Sequence, residues 1–151
     1  MNAQVVSVNV SDTKGVKKKG VDEALFTPDH GIEEDAHAGS WHRQVSLLAS
    51  ESIDKMREKG LTLDPGAFAE NITTRDIDLI SLPVGSRVRV GDEVLLEVSQ
   101  IGKECHERCA IYYQAGDCVM PREGIFAKVI TGGRVKRWDS LEVLPVEKGA
   151  E

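Results

Sequence analysis

Valines at positions 6, 8 and 10 alternate with Ser7 and Asn9, a period of two that predicts a half-buried first strand with those valines inward. Arg87-Val88-Arg89-Val90 and Glu93-Val94-Leu95-Leu96-Glu97-Val98 read as the arms of a hairpin. Gly91-Asp92 suits a two-residue turn between them, because glycine supplies the positive φ needed at its first position. Ile125 to Ile130 reads as another strand, Gly132-Gly133 as a turn toward Arg134-Val135, and Leu141 to Leu144 as a short final strand. One segment has helical character. Ser50 is placed to cap it, Glu51 sits in its first turn, and Glu51 and Lys55 have the spacing of an ion pair. Ile53 and Met56 share one face, and Gly60 is a suitable stop. Many short strands with one or two short helices predict a mainly β fold, a compact barrel with decorations rather than an alternating α/β sheet.

The chain has 151 residues, enough for one domain with one core, and no repeat or low-complexity linker divides it. A single domain over residues 1–151 is therefore expected, with the tail after about residue 146 frayed. The run Lys17-Lys18-Lys19 reads as a solvated loop. A net charge of −6 argues against broad nucleic-acid binding, which needs a basic face. No stretch approaches the roughly 20 apolar residues of a membrane span. Met1 to Val5 lacks the basic flank and apolar core of a signal peptide, so the cytoplasm is the expected compartment. Three cysteines lie between Cys105 and Cys118. In a reducing compartment such a cluster reads as reactive or metal-binding before it reads as a disulfide framework.

Four segments concentrate chemistry. Glu34 to Gln44 packs an acid, His37, His42, Trp41 and Arg43 among small residues that allow close approach. His37 and His42 could serve zinc, but their spacing matches no standard pair, and a polar loop with a Trp anchor is the plainer reading. Gln100 to Cys109 follows a strand and surrounds Cys105 with Lys103, His106 and Arg108, cations that favour the thiolate. Glu104 and Glu107 oppose them. Cys105 as a small buried hydrophobe, a zinc cluster of Cys105, His106, Cys109 and Cys118, and a Cys105–Cys109 disulfide are the competing readings. Gly116 to Phe126 holds Arg122 on a turn bracketed by Pro121 and Gly124, where a guanidinium either clamps an oxyanion or pairs with a carboxylate such as Glu123. Gly66 to Thr74 offers Phe68 as a core anchor and Asn71 as a turn residue.

These four segments, in this order, resemble the small stand-alone bacterial members of the MOSC family, the molybdenum-cofactor sulfurase C-terminal type. Asp35-Ala36-His37-Ala38-Gly39 followed by Gln44-Val45-Ser46-Leu47-Leu48 matches the N-terminal signature. Gly66 to Thr73 resembles a Gly-x-Phe-x-Glu-Asn-Ile element. Gly102-Lys103-Glu104-Cys105-His106 and Met120 to Phe126 match the subgroup related to molybdenum-cofactor biosynthesis. The resemblance runs from Ser11 through Gly133 and departs at two points. Glu34 stands where a glycine before the Asp is common, and Trp138-Asp139 where Gly-Asp is usual.

The resemblance implies a MOSC-type β-barrel and makes Cys105 the shared cysteine, carrying sulfur as a persulfide or ligating molybdenum; Cys109 competes with it. It implies a carrier of the molybdenum cofactor (molybdopterin), with His37, His42, Lys103, His106 and Arg122 available to a phosphate-bearing pterin. An alternative is a molybdenum-dependent reductase of N-hydroxylated compounds, whose electrons must come from a partner because no iron–sulfur, flavin or nicotinamide fingerprint is present. A third is a non-catalytic scaffold for a cofactor-biosynthesis enzyme. Larger relatives add a cysteine-desulfurase domain, which the sequence does not show. No pyridoxal-phosphate site is therefore expected in this chain, and a sulfur-donor or cofactor-biosynthesis protein is its expected partner.

Overall fold

A computed structural model describes residues 3–12, 18–36, 38–60, 66, 68, 70–102 and 123–144. Eleven strands and one α-helix are described: β1 (Ala3–Val10), β2 (Lys19–Val21), β3 (Glu23–Thr27), β4 (Gly31–Ile32), β5 (Val45–Ala49), α1 (Ser50–Arg57), β6 (Ile72–Arg75), β7 (Arg87–Val90), β8 (Val94–Ile101), β9 (Ile125–Thr131), β10 (Gly133–Lys136) and β11 (Ser140–Val143). Seven strands run in the order β11-β7-β8-β9-β5-β6-β1, and a β11–β1 pairing closes them into a barrel, with β2 added outside β1. Closure removes the free edges that an open sheet would expose. A small sheet, β10-β3-β4, completes the fold. Buried side chains of both sheets, among them Val5, Phe26, Ile32, Leu96, Ile125 and Val135, form one apolar cluster. The fold is thus the mainly β barrel that the pattern predicts.

The β7–β8 hairpin forms where expected, with Val88, Val90, Val94, Leu96 and Val98 inward. Its connection has three residues rather than two, since Val90 pairs with Val94. Gly91 at φ 65° starts the loop, and a Cβ there would meet Asp139 Oδ2 at 2.8 Å. The first strand also departs from the simple alternation. Val5 and Val8 are fully buried, whereas Val6 and Val10 are only partly so. The register against β6 shifts between Val5 and Ser7, and the extra residue turns Val6 away from the barrel.

Helix α1 buries Ile53 and Met56 completely, as the spacing predicts. Ser50 does not cap it, because Ala49 holds the cap position and no side chain bonds there. Nor do Glu51 and Lys55 pair. The Glu51 carboxylate accepts the Asp76 amide at 2.9 Å, and Lys55 bridges to Glu123 at 2.8 Å. Gly60, at φ 93°, ends the turn that follows the helix.

Lys18, the middle residue of the lysine run, is not solvated, whereas Lys19 in β2 is exposed and Lys17 lies outside the described residues. The Lys18 side chain is fully buried and its ammonium lies 2.8 Å from Asp35 Oδ1, itself fully buried. That oxygen also accepts the Ser11 amide at 3.1 Å. No helix among the described residues is long and apolar enough to cross a membrane.

Candidate functional site

Strand β8 is paired with β9 through Ile101↔Ile125, and the Gly102 amide donates to Gly124 O at 2.7 Å. Residues 103–122, which join Gly102 to Glu123 in the sequence, lie outside the described residues. Side chains from the first chemistry-bearing segment reach this β8–β9 clasp. Arg43 Nε donates to Gln100 Oε1 at 3.1 Å, and Gln100 Nε2 donates to Gly102 O at 2.7 Å. The Arg43 guanidinium carbon stands 5.2 Å from the Phe126 ring centroid. Ser99 Oγ donates to His42 O, so the backbone of this segment is fastened to β8 as well. Gln44 holds the other flank, accepting the Val129 amide at 3.0 Å and donating to Asp29 at 3.1 Å.

This arrangement commits only one edge of a half-buried guanidinium. Nε is used, the ring face below is aromatic, and neither terminal nitrogen has a partner among the described residues. A planar fork held this way is suited to a bidentate oxyanion such as a phosphate. His42 stands beside it with an exposed side chain, its ring edge-on to Trp41 at 5.6 Å between centroids.

On the far side of the clasp, Glu123 Oε1 accepts from Ser52 Oγ at 2.7 Å and from Lys55 Nζ at 2.8 Å, tying the root of β9 to α1. An open depression of about 380 Å³ lies here, lined by Ser52, Lys55, Ile77, Leu79 and Glu123 among others. Among the described residues, no three His, Cys, Asp or Glu side chains converge to hold a metal ion.

The segment carrying Glu70 and Asn71 is structural. Glu70 is fully buried, with Oε2 accepting the Gly66 amide at 3.0 Å and Thr73 Oγ1 at 2.7 Å, and Oε1 the Phe68 amide at 3.1 Å. Burial raises its pKa above the ordinary glutamate value, and those donors lower it but do not prevail. Asn71 Oδ1 accepts the Ser46 amide at 2.9 Å, while its Nδ2 donates to Asn9 O at 3.2 Å, so one side chain joins β1 to β5. Phe68 is buried, as expected of a core anchor. Gly66 is required: at φ 91°, a Cβ would stand 2.2 Å from Lys18 O.

Of the sequence candidates, His42 is the one placed by the described residues. His37, Lys103, Cys105, His106, Cys109 and Arg122 lie outside them. Arg43 and the buried Lys18 were not singled out in the sequence. For Arg43 the available signal was a guanidinium next to a candidate histidine. Lys18 gave no local signal, because its partner is 17 residues away.

The order of these segments around the β8–β9 clasp matches a known pattern: the model of the MOSC domain matches residues 34–142. This chain belongs to the MOSC domain family. That family is associated with the molybdenum cofactor. Among solved structures, the YuaD protein of Bacillus subtilis superposes with a TM-score of 0.80 at 21% identity, covering 97% of this chain and 98% of that one. YiiM of Geobacillus stearothermophilus gives 0.70 at 20% identity, covering 98% and 78%, and YiiM of Escherichia coli gives 0.67 at 23%, covering 96% and 71%. At these identities the likeness establishes the MOSC fold. No curated protein sequence matches this one.

Both departures from the family pattern fall on the same backbone feature. Glu34 has φ 69° and Trp138 φ 74°, the left-handed region where glycine is at ease and other residues are strained. At these two turns a non-glycine residue occupies a conformation that glycine would adopt without cost.

Proposed function

We propose that this MOSC domain holds the molybdenum cofactor beside the β8–β9 clasp, with Cys105 carrying sulfur or ligating the metal and Arg43 receiving an anionic group of the pterin. The observation that carries the reading is the chain Arg43–Gln100–Gly102, which ends on the residue before Lys103. Cys105 follows Gly102 by three residues, so covalent reach keeps its Cα within about 11 Å of that glycine. A soft thiolate suits molybdenum or transferable sulfur, and a guanidinium whose terminal nitrogens have no partner among the described residues suits phosphate, so the donor chemistry fits the cofactor. When bound, the cofactor supplies the metal centre at which sulfur is held or exchanged.

The chain's own residues do the rest. Gln100 orients the Arg43 fork through its Nε, and Phe126 shields one guanidinium face from water, which strengthens a charge-assisted bond on the open edge. Lys103, His106 and Arg122 add cationic or hydrogen-bonding groups on the segment that follows Gly102, and His37 and His42 precede Arg43 in the first segment. Lys103, His106 and Arg108 lie beside Cys105 in the sequence, and cations next to a thiol favour the thiolate. Sulfur would arrive from a partner protein that donates it.

Co-expression with cofactor synthesis, followed by molybdenum and pterin analysis, tests this. Cys105→Ala is expected to abolish retention, Arg43→Gln to weaken it about tenfold through one charge-assisted pair, and Cys109→Ala to leave it intact. A wild-type protein that retains no more pterin than Cys105→Ala overturns the reading. Loss in Cys109→Ala instead moves the thiol to Cys109. Turnover of an N-hydroxylated base by loaded protein with an artificial electron donor would make it a reductase.

A further inference from the structure

The turn between β10 and β11 concentrates unusual features on one small surface. Trp138 is 49% exposed and sits at φ 74°. Two guanidinium groups bracket its ring, Arg75 at 5.4 Å and Arg137 at 4.8 Å from the centroid. The turn is fixed rather than loose. Trp138 N donates to Val5 O at 2.7 Å, Val5 N to Asp139 O at 2.8 Å, and Arg137 Nε to Val6 O at 3.0 Å. The carbonyl that anchors Arg137 thus belongs to the residue that the β1 bulge turns outward. A bulge, a strained tryptophan and a pinned arginine meet at one point.

The backbone bonds fasten the turn to β1, but they do not require an indole at this position. The indole lies outside the core, and a glycine at position 138 would be free of the backbone strain. Strain kept at an exposed aromatic residue points to function. Trp and Arg are also the residue types that dominate binding energy where proteins meet. The charges nearby decide the sign of the partner. Arg75 faces Asp76 at 3.9 Å and Gln4 at 2.6 Å. Arg137 has no carboxylate partner among the described residues. Exposed Lys136 adds a third cation, while the Asp139 carboxylate is turned to the Lys136 amide at 2.9 Å. This patch is cationic on a chain whose net charge is −6.

We propose that Arg75, Arg137 and Trp138 form a docking surface for an acidic segment of a partner protein, in which carboxylates meet the two guanidiniums and an apolar side chain packs on the indole. None of these residues belongs to the segments assigned to the cofactor, so the surface stands or falls separately from that site.

Fluorescence anisotropy with a labelled peptide of alternating Glu and Leu tests it, against Gln–Leu and Lys–Leu peptides as controls. The Glu peptide is expected to bind saturably and to weaken with salt. Arg137→Gln and Trp138→Gly are each expected to weaken it about tenfold or more. Trp138→Gly should do so while raising the thermal midpoint and leaving pterin retention unchanged, which separates lost docking from lost folding. Equal binding of the Gln peptide, or unchanged affinity in both variants, overturns the proposal. So does tighter binding of a single-stranded oligonucleotide or of inorganic phosphate, or a wild-type dimer that Trp138→Gly dissociates.

Discussion

Breaking the Lys18–Asp35 pair should cost more than any surface ion pair would, because both side chains are fully buried at 2.8 Å. At an effective dielectric of about 20, attraction at that separation is roughly 6 kcal/mol. Desolvating the two ions consumes several kcal/mol each, so the pair as a whole contributes little net stability. Removing one partner is different, since the desolvation penalty of the other stays uncompensated. Lys18→Met and Asp35→Ala are each expected to destabilise by about 3–5 kcal/mol. That lowers the thermal midpoint by about 10 °C for a domain of this size. The double variant should recover most of the loss. It stays below wild type by about 1–2 kcal/mol, because the Ser11 amide loses its carboxylate acceptor. Urea unfolding of the four proteins at pH 7 gives the coupling energy directly, provided m is unchanged. Singles that each cost under about 1 kcal/mol and simply add would refute the buried bridge and return Lys18 to solvent.

Glu34→Gly should raise stability by about 0.5–1 kcal/mol, the relief of left-handed strain less glycine's unfolded-state entropy; a fall in thermal midpoint would mean that the carboxylate makes a compensating contact. Gly66→Ala should cost about 3 kcal/mol or more, since its Cβ would meet Lys18 O at 2.2 Å and the backbone has φ 91°; near-wild-type unfolding would show that this turn yields easily. Burial holds the Glu70 pKa above its ordinary 4.5, so its contribution is fully present below that pH and is lost as pH rises through the raised value. Wild type should therefore lose stability relative to Glu70→Gln as pH climbs from about 4.5, and a difference that moves the other way would mean that the three donors outweigh burial.

Local pattern was legible wherever pairing stayed regular. The apolar runs of β7 and β8 identified the arms of the hairpin, and in α1 the Ile53–Met56 spacing identified the buried face. It failed where a partner distant in sequence decided the outcome. The β1 alternation was read one way along the whole strand, yet the shift against β6 between Val5 and Ser7 inverts its first half. The capping role given to Ser50 and the Glu51–Lys55 pair lost to partners at Asp76 and Glu123, which no helical spacing indicates. Lys18 escapes local pattern for the same reason, since its partner Asp35 is distant in sequence. Arg43 was visible as a residue type, but its meeting with Gln100 depends on how β5 and β8 flank β9.

Two kinds of residue stand apart, buried ones that carry the family resemblance and those proposed to meet the cofactor. Asp35, Gly66, Glu70 and Asn71 are buried and satisfied by backbone amides, a buried ammonium or neighbouring side chains, so they specify the barrel and its turns. Their described contacts are those that hold the fold. Arg43, beside the clasp, has terminal nitrogens without a partner among the described residues, and Cys105 follows Gly102 of the clasp by three residues in the sequence. Family membership therefore rests largely on the first kind and the proposed activity on the second. The two separate in experiment. A Lys18→Met/Asp35→Ala protein that still folds should retain cofactor per folded molecule as wild type does, whereas Arg43→Gln should lose retention with its unfolding midpoint nearly unchanged. If retention instead followed stability across both sets, the clasp would be one more structural node and the cofactor site would have to be sought elsewhere in the chain.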